Sequence, residues 1–235
     1  MSDFMVIIHE SEATASALAP RETRALLEGQ ATYELQLRTM GACVDGERLR
    51  PSAEGRRVSR RAGATHVEAG PFAEPTLGGY YVLRTDSLEA ALELAKQCPA
   101  PPGVELEVRP LLKGRFESDK TSQKGRVFAF GVLGSAANEQ AWVEVMDVID
   151  ERTQDHFPGD QFRGGVRLDA PSRGGRISSA GGRRAVFDGP FLESKEVIGG
   201  LFFMRMANLD EAVEWASHSA FVDHGLLEIR ELWRS

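Results

Sequence analysis

Short apolar runs alternate with amphipathic stretches along the chain, and the order in which they do so occurs twice. Phe4–His9 and Arg126–Val132 are apolar runs of strand length, and each is followed by a helical period, Pro20–Met40 and Asn138–His156. Pro20 suits the first turn of its helix, where its missing N–H costs nothing. A second strand (Ala42–Leu49; Gly164–Leu168) leads into Gly- and Arg-rich turns around Gly55 and Gly63, and around Gly174 and Gly181, which predict an extra hairpin. A third strand follows each Gly-Gly pair, Ser87 and Asn208 are predicted N-caps for the next helices, and a last strand closes each copy. The predicted order is βαβ, hairpin, βαβ.

The duplication is legible residue by residue. Glu68-Ala69-Gly70-Pro71-Phe72-Ala73-Glu74 matches Phe187-Asp188-Gly189-Pro190-Phe191-Leu192-Glu193 at an offset of 189 − 70 = 119. Gly78-Gly79-Tyr80-Tyr81-Val82-Leu83-Arg84 then matches Gly199-Gly200-Leu201-Phe202-Phe203-Met204-Arg205 at 199 − 78 = 121. That register holds through the following helix to Glu107-Val108-Arg109 against Glu228-Ile229-Arg230. The expected organisation is a first repeat over 1–115, a linker over 116–125 and a second repeat over 126–235. Glu117–Gly125 is polar and has no apolar period, which suits a linker. The predicted fold class is α+β: two ferredoxin-like repeats of the dimeric α/β barrel type, packed as an intrachain pseudo-dimer. Helices on one face of each sheet leave the other face to be covered by the sister repeat.

Composition narrows the functional classes. An apolar share of 42% and a charged share of 27% suit a folded chain with a packed core. No apolar stretch approaches the roughly 20 residues that span a bilayer, and Met1–Glu12 lack the basic lead and apolar region of a signal peptide, so the expected setting is cytoplasmic and away from membranes. Cys43 and Cys98 are too few for a disulfide framework and lack zinc-ligand spacing, so no metal or other cofactor is expected. A net charge of −7 speaks against direct nucleic-acid binding. Arginines nevertheless gather in the hairpin segments: Arg48, Arg50, Arg56, Arg57, Arg60 and Arg61, then Arg163, Arg167, Arg173, Arg176, Arg183 and Arg184. Such charges on exposed hairpin strands discourage edge pairing; anionic ligands or acidic partners are the alternative.

Asp188-Gly189-Pro190-Phe191, followed by Glu193, Lys195, Glu196, a Gly-Gly pair and an acidic amphipathic helix, resembles the signature of the DGPF/YCII-related family. The resemblance extends weakly over most of each half, including the opening Met5-Val6-Ile7-Ile8. It implies a ferredoxin-like fold that pairs as a dimeric barrel, and, where a chemistry has been inferred for members, a His/Asp pair acting on small molecules. Some members are linked to extracytoplasmic-function sigma factors. This chain departs from the pattern: Ala69 stands where the signature has Asp, and neither copy has a histidine at the start of its first helix.

In the ferredoxin-like order the third strand runs antiparallel beside the first, which is expected to bring His9 toward the loop holding His66, Glu68 and Glu74. An imidazole beside a carboxylate is a workable general base. The bland reading of the same residues, which fold-level geometry alone does not displace, is that they are solvated turn residues at a sheet end. In the second copy Asp188 is the candidate acid or base, or else a turn cap bonding the amides that follow it. The candidate catalytic residues are thus His9, Glu68, Glu74 and Asp188, and the candidate ligand contacts are His66, Tyr81, Glu193 and Phe203. Three functions follow as expectations: a module that binds a small molecule or a partner between the repeats; a lyase- or isomerase-type enzyme using His/carboxylate chemistry; and an accessory regulator of sigma-factor transcription. The expected assembly is a monomer containing the pseudo-dimer, or a dimer of it.

Overall fold

The computed structural model describes residues 1–101, 103–116, 125–135, 161–180, 183–188 and 196–233. The predicted linker and the predicted helix Asn138–His156 lie, wholly or almost wholly, outside the described residues. The elements are β1 (Ser2–Glu10), α1 (Glu12–Ser16), α2 (Pro20–Thr39), β2 (Cys43–Arg48), β3 (Arg56–Arg61), β4 (Ala64–Ala69), β5 (Thr76–Thr85), α3 (Leu88–Ala95) and β6 (Glu105–Phe116). The second half gives β7 (Arg126–Ser135), β8 (Phe162–Leu168), β9 (Gly175–Ala180), β10 (Arg183–Asp188), β11 (Glu196–Met206), α4 (Leu209–His218), α5 (Phe221–His224) and β12 (Leu226–Glu231). Local rules account for the boundaries. Ser87 and Asn208 accept hydrogen bonds from Ala90 N and Glu211 N and so start α3 and α4, and Pro20 opens α2.

Two α+β units form, and neither is built from one continuous stretch of chain. The first comprises Met1–Arg48, Ala73–Leu111 and Pro171–Phe191; the second comprises Leu49–Phe72, Leu112–Ala170 and Leu192–Ser235. In the first unit the antiparallel strand order is β2-β5-β1-β6-β9-β10. In the second it is β8-β11-β7-β12-β3-β4. Each sheet is four strands of one repeat extended by the hairpin of the other: the repeats exchange hairpins. The four-strand part of the first unit, with α2 and α3 as its connections, has split βαβ connectivity.

The core of each unit lies on one sheet face, beneath the helices. Phe4, Val6, Ile8, Tyr81, Leu83, Leu106 and Val108 alternate along their strands and pack with Tyr33 and Leu37 of α2 and Ala91, Leu92 and Ala95 of α3. Phe128, Phe130, Val132, Phe202, Met204, Leu227 and Ile229 do the same with Ala212 and Ala216 of α4 and Phe221 and Val222 of α5. The exchanged hairpins each contribute one anchor: Ile177 belongs to the first core and Val58 to the second, both essentially fully buried. Burying such a side chain contributes about 1.5–3 kcal/mol.

The glycines before these hairpins allow the close approach. A Cβ on Gly174 would lie 2.4 Å from Val108 O, and one on Gly55 would lie 2.9 Å from Ile229 O, so only glycine lets either turn rest against the last strand of the other repeat. The hairpin arginines then hold the added strand, in place of the edge-guarding role expected from sequence. Arg57 pairs with Glu228 at 2.8 Å and stacks over Phe72, Arg60 donates to Ser217 O and pairs with Asp223, and Arg184 donates to Lys96 O. Among the described residues, no helix is long and apolar enough to cross a membrane.

Hairpin exchange has a specific consequence. Ile177→Ala should destabilise the protein by about 3 kcal/mol, the middle of the range for a buried Ile truncation. Hydrogen exchange should accelerate at Leu106 and Val108 of β6, in the first unit. Acceleration confined to β8 and β11, in the hairpin's own repeat, would contradict the exchange.

Candidate active site

The sheet face opposite the helices differs chemically between the two units. Residues directly across antiparallel strands share a face, so in the first unit the row Glu107, Ile7, Tyr80, Glu47 crosses β6, β1, β5 and β2 on one side. Arg109, Met5, Val82 and Asp45 form the neighbouring row. His9 and Glu105, two positions further along β1 and β6, lie on the same side. His9, Asp45, Tyr80, Glu107 and Arg109 are all buried.

These side chains make two linked arrangements. His9 Nε2 lies 2.9 Å from Glu107 Oε2, and Arg109 Nη1 donates to Glu107 Oε1 at 3.4 Å. Burial pushes the Glu107 carboxyl up, but the His9 hydrogen bond and the Arg109 charge outweigh it and hold the carboxyl below its ordinary range. An ionised carboxylate only accepts, so His9 Nε2 is the donor and the tautomer of His9 is set. Tyr80 Oη donates to Asp45 Oδ2 at 2.8 Å, also in a buried position. A carboxylate holding an imidazole by one nitrogen is the arrangement that orients a general base.

The matching face of the second unit keeps only the last-strand pair. Cross-strand register places Leu133 at the position of His9, Gly164 at Asp45, Val166 at Glu47, Leu201 at Tyr80 and Leu226 at Glu105. Glu228 and Arg230 match Glu107 and Arg109. With no histidine, Glu228 Oε2 takes both Nε and Nη2 of Arg57, at 3.0 and 2.8 Å, while Arg230 Nη1 donates to Oε1 at 3.1 Å. Arg230 also donates through Nε and Nη2 to the backbone carbonyl of Arg50.

The residues singled out from sequence are distributed differently from expectation. Glu74 does lie near the end of β1, but it accepts from Ser11 Oγ at 2.5 Å and Ala13 N at 2.9 Å at the start of α1. Those bonds hold its exposed carboxyl below the ordinary range. His66 and Glu68 are exposed on β4, in the second unit, because the hairpin that carries them joins β12; His9 is in the first. Tyr81 faces the helices, edge-on to Tyr33 with centroids 5.4 Å apart, and burial pushes its phenol up. Phe203 is buried on the opposite face of its sheet. Asp188 ends β10 and pairs through its backbone with Gly175; its side chain and Glu193 lie outside the described residues. In the first copy the Gly-Pro-Phe turn is structural: Phe72 is buried and its N–H donates to Ser52 Oγ at 3.2 Å.

Of the residues now at the site, sequence reasoning named only His9. Glu107 and Arg109 had a signal in the Glu-x-Arg shared by both last strands; Asp45 and Tyr80 had none. No group of three or more His, Cys, Asp or Glu side chains among the described residues is arranged to hold a metal ion.

The family model of the YCII-related domain matches the sequence twice, over residues 3–113 and 118–235. No curated protein matches the chain. Among solved structures, a protein assigned as a chlorite dismutase is 8% identical with a TM-score of 0.43, over 100% of this chain and 96% of that one. A protein assigned as a monooxygenase, from Fusobacterium nucleatum, is 11% identical with a TM-score of 0.46, over 98% and 91%.

The depressed Glu107 carboxyl fixes a pH dependence. Its contribution to stability is fully present above its ordinary value of 4.5 and is lost as pH falls through the lower folded value. Wild type should therefore lose unfolding free energy more steeply than Glu107→Gln below about pH 4.5, as measured by urea titrations at a series of pH values. Parallel curves would show that His9 and Arg109 do not hold the carboxylate charged.

Proposed function

Starting from a chain that belongs, twice over, to the YCII-related domain family, we propose that the first unit binds a small polar molecule and moves a proton on it, with His9 as the acid–base group. Glu107 positions His9 and stabilises the imidazolium that forms when it takes a proton. Arg109 keeps Glu107 ionised, and the Tyr80–Asp45 pair supplies a second polar contact on the same face. The chemistry is of lyase or isomerase type, in which a base removes a proton from carbon or oxygen and returns it elsewhere. The same reading takes each repeat as a ferredoxin-like sandwich of the dimeric α/β barrel kind, supported by the strand order of the first unit.

One observation carries the reading. At five matching positions the second unit has Leu, Gly, Val, Leu and Leu where the first has His9, Asp45, Glu47, Tyr80 and Glu105. Burying a polar group costs free energy unless it is hydrogen-bonded, and even a satisfied buried ion pair is often no more stabilising than apolar residues of the same volume. The same backbone is built from apolar residues in the other half of the chain, so the fold does not require the polar set.

The test is solvent deuterium incorporation. Wild-type protein in D2O, incubated with small 2-keto and 2-hydroxy acids and followed by proton NMR, should exchange a carbon-bound proton of at least one of them. His9→Leu should slow that exchange by about 10²–10⁴-fold, the usual share of a general base, while remaining folded. Undiminished exchange in His9→Leu, or no exchange with any member of the series, would count against the proposal.

A further inference from the structure

Arg176 sits directly across from Glu107 in the β9–β6 pairing, as Arg57 sits directly across from Glu228 in the β3–β12 pairing. Directly opposed residues are about 4.5–5.5 Å apart at Cβ and are the natural partners in a sheet. Arg57 obeys this and clamps Glu228 through two nitrogens. Arg176 does not. It pairs with Glu105 at 3.5 Å, two residues along β6, while the Glu107 oxygen equivalent to the one Arg57 holds is bonded to His9. In the second unit Leu226 stands at the position of Glu105, and the second carboxylate that Arg57 reaches is Glu196 on β11, at 3.4 Å, while Arg57 keeps its hold on Glu228.

We infer that Glu105 is a positioning residue that draws the hairpin arginine Arg176 away from Glu107 and so leaves Glu107 to orient His9. This rests on the acid–base reading of the first unit and deepens it. The physics is a competition for one carboxylate oxygen. A guanidinium brings permanent charge and several donors and competes with the imidazole for that oxygen; Glu105 offers Arg176 a carboxylate two residues along the same strand. Glu105 lies on the same strand face as Glu107, within a side chain's reach of Arg176, and is half-buried, so its attraction is less screened than at a fully exposed site. The Arg176 guanidinium also stacks 5.0 Å from the Phe187 ring centre.

The readout is the hydrogen-bonded Nε2–H of His9 in histidine-labelled full-length protein, assigned by its loss in His9→Leu and recorded without any substrate. Glu105→Leu should abolish or strongly shift this resonance as Arg176 turns to Glu107, and adding Arg176→Leu to that variant should restore it. Glu105→Gln, a smaller change, should weaken the resonance in the same sense and carries the test if Glu105→Leu does not fold. An unchanged His9 resonance in folded Glu105→Leu or Glu105→Gln would overturn the inference. So would a folded double variant in which the resonance stays lost. Because no turnover is measured, failure here is distinguishable from failure of the acid–base reading.

Discussion

A carboxylate taken out of water must be met by a cation or by several donors, and the last strand of each repeat carries one such carboxylate at its centre, Glu107 or Glu228. The arginine two residues on supplies one partner in both cases. The second partner is where the copies diverge. In the second unit it is Arg57, brought in by the hairpin of the other repeat, so that satisfying the carboxylate and docking the hairpin are one event. In the first unit it is His9, and the hairpin docks through Ile177 and the Arg176–Glu105 pair instead.

Duplication explains how one chain can hold both solutions. Hairpin exchange gives each unit a strand pair it cannot make from its own repeat, and in the second unit an arginine clamp holds that pair. The first unit keeps the same Glu-x-Arg frame but surrounds it with His9, Tyr80 and Asp45, all buried. The sheet face opposite the helices thus differs between the units: charged and hydrogen-bonded in the first, largely apolar at the matching described positions of the second.

Much of the fold was legible because it follows from local chemistry. Ser87 and Asn208 cap their helices by their own side chains, Pro20 starts a helix, and alternation marks the strands. The destination of the hairpins was not legible, since Arg56–Arg61 has the same local sequence whichever sheet edge it joins. That choice is made by Val58, Gly55 and Glu228, residues up to 173 positions apart in the chain. The assignment of His66 and Glu68 to the same unit as His9 follows from that single unseen step. Sequence alone does not separate Tyr80 from Tyr81, because parity along β5, fixed by pairing with β1, decides which tyrosine faces the helices. Glu107 was passed over because a lone carboxylate in a strand reads as a solvent-facing alternate until the pairing with β1 puts it beside a histidine.

The central claim is that the polar face of the first unit serves chemistry and not folding. It is tested most directly by giving that unit the second unit's character: His9→Leu, Asp45→Ala, Glu47→Val, Tyr80→Leu and Glu105→Leu together in the full chain, with the unfolding free energy measured in urea. The account predicts a protein at least as stable as wild type. A loss of several kcal/mol, beyond the roughly ±0.5 kcal/mol of a neutral surface change, would contradict it and assign these residues to the fold.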